Sequence, residues 1–138
     1  MDKRLFERPD LYFKFRVWDK HEKKMYYLNS SARISDLWNN GRIPMMFTGI
    51  KDNRNIDNEK CKPIYEGDIV RRIDTNGLGI VKYITNKARF EVIWVFDTYV
   101  LNDSFGTIPV RIIVEGNVFE NGNKLFKDTV GWKNVFTE

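Results

Sequence analysis

The sequence predicts an all-β fold: a small SH3-like barrel carrying an N-terminal β-hairpin and at most one short helix. Residues 11–18, "LYFKFRVW", alternate with period two, as a half-buried strand does. From residue 68 onward, short apolar runs recur between turn signals at regular spacing, the pattern of a meander closing into a barrel or sandwich. Only one stretch, residues 30–41, sets its apolar residues at helical spacing.

In the first strand Leu11, Phe13, Phe15 and Val17 share one face, and Tyr12, Lys14, Arg16 and Trp18 share the other. The polar run 19–24 turns the chain, and Met25-Tyr26-Tyr27-Leu28 returns as the second strand of a hairpin. "SSARISDLWNNG" is the predicted helix, with Ser30 or Ser31 as cap, Ile34, Leu37 and Trp38 on one side, and Gly41 as its stop. "MMFTGI" reads as a strand, and the aperiodic polar stretch 51–62 as a surface loop. The remaining strands are placed at 68–73, 79–84, 89–96, 108–119 and near 130–136, with turns at 74–77, 85–87, 102–104 and 120–123. Together these elements form one domain over 1–138: hairpin, helix and strand in 1–60, then barrel strands in 61–138.

A chain of 138 residues with 42% apolar and 14% aromatic content has enough side-chain surface to offset its ordering entropy and build one core. The charged N-terminus and the absence of a long apolar window argue against a leader or a membrane span and point to a cytoplasmic protein. With one cysteine, Cys61, neither an internal disulfide nor a cysteine-based zinc site can be assembled; the single histidine, His21, lies in a Lys-rich turn. No cofactor and no metal are therefore expected. The net charge of +4 lies in the first part: residues 1–60 hold 13 Lys/Arg against 9 Asp/Glu, and 61–138 hold 10 against 10. Within the second part, residues 71–89 are mainly basic and 91–120 mainly acidic. Such a balance permits nucleic-acid contact but falls short of a basic stripe, and neighbouring strands of opposite sign could cancel.

"PIYEGDIV", residues 63–70, poses a sharper choice. Glu66 and Asp68 would be a carboxylate pair if the strand ran straight through them, but the intervening glycine breaks that regularity. The favoured reading is a backbone corner. Gly67 takes a conformation closed to other residues, Asp68 satisfies freed N–H groups, and Ile69 and Val70 enter a core. Gly67 and Asp68 are thus assigned structural roles.

"GDIVRRIDTNGLGIVKYI" looks like the opening of SH3-like barrels, including the nucleic-acid-associated KOW type. With "KFRVWDKHEKKMYY", "MMFTGIKDNRN", "PIYEGDIV" and "VEGNVFENGNKL" in that order, the chain resembles the YopX family of phage and prophage proteins over about residues 13–125. Val17 stands where that family has a small residue, and the loop 53–62 is longer than the family's connection. The resemblance implies an SH3-type barrel encoded by a mobile element. It brings no catalytic residues.

Catalysis needs a nucleophile beside a base, a tuned acid pair or a metal cluster, and the sequence offers none of these patterns. "TNGLGIV" lacks the Gly-Lys-Ser/Thr ending of a phosphate-binding loop. The leading expectation is a non-catalytic binding or self-assembly module, since 20 aromatic residues exceed what a small barrel encloses. Its partner would be a second copy of the chain or a host or phage protein. The alternative is a nucleic-acid-binding barrel, in which Tyr12, Lys14, Arg16 and Trp18 form one platform, joined by Arg72 and Lys82 if those two project to the same side. Against it, Trp18 could pack across the hairpin on Tyr26 while Lys14 and Arg16 keep their charges in water.

Overall fold

The computed structural model describes residues 15–28, 41–54, 60–95, 100–104 and 111–126. Within them nine strands form two antiparallel sheets, so the chain is all-β as the alternation and turn spacing predict. The first sheet has the order β2-β1-β3-β4, built from β1 (Phe15–Asp19), β2 (Lys24–Leu28), β3 (Arg42–Lys51) and β4 (Pro63–Tyr65). The second has the order β8-β7-β6-β5-β9, built from β5 (Asp68–Arg72), β6 (Leu78–Ile84), β7 (Arg89–Val95), β8 (Val100–Ser104) and β9 (Ile112–Asn117), and it curls into a half-barrel. One short helix, α1 (Gly122–Leu125), stands where the sequence suggested a turn. The predicted helix over 30–41 and the predicted strand near 130–136 lie outside the described residues.

β1 and β2 form the expected hairpin, with Arg16 opposite Tyr27 and Trp18 opposite Met25. β1 is an inner strand, flanked by β2 on one side and β3 on the other, and it carries buried residues on both faces. The stretch 102–104 is a correction: it belongs to β8, an edge strand, and is not a turn. Its polar side chains are consumed by neighbours in the sheet, Asn102 donating to Glu91 Oε1 at 3.3 Å and Asp103 accepting from Trp94 Nε1 at 2.7 Å.

The pairing register gives the second sheet two buried faces. Val70, Gly79, Val81, Val92 and Trp94 share one face, which packs with Ile64 of β4 and Ile112 of β9. Ile69, Ile80 and Val95 share the other, covered by Val118 and Phe126 from the segment after β9. Gly79 faces the Trp94 ring: an added Cβ would lie 2.6 Å from Val92 Cγ1 and 2.7 Å from Trp94 Cε3. Gly79→Ala is therefore expected to overpack this face and destabilise the protein by about 2 kcal/mol, read by chemical denaturation; an unchanged midpoint would contradict this packing.

The segregated charges of residues 71–120 cancel between neighbours. Arg71 of β5 pairs with Glu115 of β9 at 2.9 Å, and Lys87 and Arg89 both reach Glu91 of β7, at 3.3 and 2.9 Å. Glu115 sits where the β5–β9 register shifts by one residue, a bulge that turns its side chain outward.

Candidate binding cleft

The change from one sheet to the other occurs at the corner Glu66-Gly67. Gly67 has φ +87°, a left-handed conformation that L side chains rarely adopt. Its neighbourhood is tied to three elements: Glu66 N–H donates to Met46 O at 2.9 Å, Gly67 N–H to Val81 O at 2.8 Å, and Val118 N–H to Gly67 O at 2.9 Å. A chain that must hand its hydrogen bonds from β3 to β6 within two residues needs this sharp bend.

Asp68 follows the bend and is 2% exposed. Its Oδ2 accepts the Tyr65 N–H at 2.8 Å, and its Oδ1 lies 2.7 Å from Arg16 Nη2, so β5 of the second sheet is clamped to β1 of the first. The same Nη2 donates to Glu66 O at 3.0 Å, and the guanidinium lies 4.8 Å from the Tyr65 ring centroid. Asp68 is engaged by Arg16 and the Tyr65 N–H, while Glu66 serves the corner through its backbone N–H and turns its carboxyl to the backbone of Tyr83 and Met46.

Loss of solvent pushes the Asp68 carboxyl up to about 6, against the opposing pull of Arg16 and the Tyr65 N–H. Burial likewise raises the Tyr65 phenol and the Glu66 carboxyl above their ordinary values. The folded chain thus binds a proton at Asp68 more readily than the unfolded chain does. The stability this group supplies is fully present below about pH 4 and is lost as pH rises through about 6. The melting temperature is expected to rise as pH falls from 7 to 5, and Asp68→Asn is expected to flatten that slope; a slope unchanged in the variant would assign the effect elsewhere.

Around this ion pair the two sheets leave a cleft of about 320 Å³, lined by Arg16, Tyr27, Lys62, Pro63, Tyr65, Asp68, Val114, Gly116 and Asn117. That volume is in the range of small-molecule sites. Tyr27 stands on the edge strand β2, 63% exposed as a residue, and its ring meets the Tyr65 ring edge-on at 5.7 Å. The floor is braced by Asp52, which is buried. Its Oδ1 accepts the Lys62 N–H and its Oδ2 the Val114 N–H, both at 3.0 Å, and Oδ2 also pairs with Arg54 at 2.8 Å. Burial works to raise the Asp52 carboxyl, but Arg54 and these two N–H groups together hold it below the usual carboxylate range.

The proposed nucleic-acid platform is distributed differently from the sequence expectation. Arg16 and Trp18 do share a face, but that face turns toward the second sheet: Arg16 is buried and Trp18 stacks on Phe119 at 5.4 Å with 13° between the rings, not on Tyr26. Tyr12 and Lys14 lie outside the described residues. Arg72 lies on the Val70 face and Lys82 on the Ile80 face, so these two project to opposite sides of the sheet. Arg72 makes a two-pronged pair with Asp74, at 2.7 and 3.1 Å, and Lys82 stands opposite Glu91.

Sequence reasoning missed Tyr27, Lys62, Tyr65 and Asn117 as neighbours. They come from β2, the start of β4 and the end of β9, and only the hairpin register, which sets Tyr27 beside Arg16, was open to a sequence argument. Among the described residues no group of three or more His, Cys, Asp or Glu side chains converges as metal ligands do, and no helix is long and apolar enough to cross a membrane. No protein-family model matches the chain, and no curated protein matches it.

Proposed function

We propose that the protein is a non-catalytic binding module, of the phage- or prophage-encoded kind that the sequence resembles, and that it engages its partner at the cleft between the sheets. The observation that carries this reading is the cleft itself. Two phenol rings, an ammonium, an amide and a guanidinium surround a carboxylate already committed to Arg16, a set suited to holding a ligand rather than transforming it. Self-assembly has support of its own in Tyr27 on edge strand β2 and in Leu101, 48% exposed, on edge strand β8. The test is the mass in solution at low and moderate salt, alone and with a short single-stranded DNA or RNA. A mass that tolerates salt and takes up no nucleic acid fits the module. Uptake that fades steeply with salt would replace this reading by the nucleic-acid one.

A further inference from the structure

The hydrogen-bonding groups around the cleft are unequal in a way that restricts what fits. The acceptors are occupied. Asp68 receives Arg16 and the Tyr65 N–H on its two oxygens, and Asn117 Oδ1 receives the N–H groups of Phe119 and Glu120, at 3.1 and 2.9 Å. The donors are in surplus. Among the described residues the Lys62 ammonium has no hydrogen-bond partner, and neither do the Tyr27 and Tyr65 hydroxyls, each able to donate to an acid; Arg16 Nε is unpaired too, but it is buried out of reach of a ligand. Arg16 and Lys62 against Asp68 also leave the lining with one net positive charge. A ligand that satisfies this surplus is an acceptor carrying one negative charge, and the Tyr27, Tyr65 and Pro63 walls add flat apolar surface for its body.

We propose that the cleft binds a small organic acid, a single carboxylate carried on a flat apolar body, with Lys62 as its charge partner and the two tyrosines as walls. The proposal rests on the binding-module reading and narrows its ligand. The groups facing Asp68 are Arg16 from β1, Tyr27 from β2, Lys62 and Tyr65 at β4, Glu66 at the corner and the uncharged Asn117 from β9. When Asp68 takes up its proton the lining gains a further net positive charge, so an acid that stays ionised is held more tightly on the acidic side.

The experiment follows the backbone amide signals of Tyr27, Tyr65, Val114, Gly116 and Asn117 by NMR while the full chain is titrated with benzoate, with benzamide and with inorganic phosphate. Benzoate and benzamide share a shape and differ in charge. Benzoate is expected to shift the cleft signals with a Kd of about 10 mM or below, the range for a probe this small. Benzamide is expected to be roughly tenfold weaker, and Lys62→Met to weaken benzoate by roughly tenfold with little change in Tm, because Asp52 is served by the Lys62 backbone N–H and the ammonium acts on Asp68 through its charge alone. Lowering the pH from about 7.5 to about 5.5 is expected to tighten benzoate roughly threefold, and Asp68→Asn to remove that dependence. Equal binding of benzamide at the same signals would overturn the acid and leave the binding module standing. Phosphate binding there as tightly as benzoate would overturn the flat body. Signals unmoved by all three probes would overturn both the acid and the cleft.

Discussion

Trp94→Ala is expected to remove about 4 kcal/mol of stability, measured as a lowered denaturation midpoint at unchanged slope. Trp94 is 1% exposed, and its ring lies against Gly79, which contributes no side chain to refill the space. Truncation also strips Asp103 of the indole N–H that reaches it at 2.7 Å from the neighbouring strand. A domain of this size holds roughly 5–15 kcal/mol in total, so the variant would stand near its limit at moderate temperature. Trp94→Phe, which keeps most of the bulk and loses only the hydrogen bond, is expected to cost about 1 kcal/mol. Equal losses for the two variants would show that the bond to Asp103, and not the filling of the face over Gly79, holds this side of the sheet.

Gly67→Val is the second large expected effect, of the order of 3 kcal/mol or more. At φ +87° a β-branched side chain clashes with its own backbone, and this corner has little room to relax. Its N–H and C=O are bonded to Val81 and Val118, and the preceding N–H to Met46. Relaxing the bend would pull on both sheets and on the segment behind them. Gly67→Ala, with the same backbone strain but no branch, is expected to cost about 1–2 kcal/mol. A fully stable Gly67→Val would mean that the chain passes this point in an extended conformation, and the handover between sheets would have to be redrawn.

Much of the fold was legible because its strands are long enough to show period two and its turns use residues with specific backbone habits. β1, β2, β3, β5, β6, β7 and β9 fall within or across the predicted runs, and the bend at Gly67 follows from a glycine set between two apolar strands. β8 was hidden because an edge strand whose side chains hydrogen-bond to its neighbour is polar in composition, and Asn102-Asp103-Ser104 has the chemistry of a turn. The role of Arg16 was hidden for a different reason. Period two placed it correctly beside Trp18, but whether a face looks to water or to another sheet depends on a partner 52 positions away, Asp68, that no local pattern announces. The cleft was least visible, since its lining is assembled from β1, β2, β4, β5 and β9.

The clamp between the sheets is open to direct observation, by NMR of the Arg16 guanidinium near neutral pH. Its Nη protons are expected to exchange slowly, to show contacts to the Tyr65 ring, and to lose their protection in Asp68→Asn, as a buried pair at 2.7 Å requires. A guanidinium that rotates freely, exchanges at the solvent rate and is indifferent to Asp68→Asn would contradict the clamp, and with it the cleft built around it.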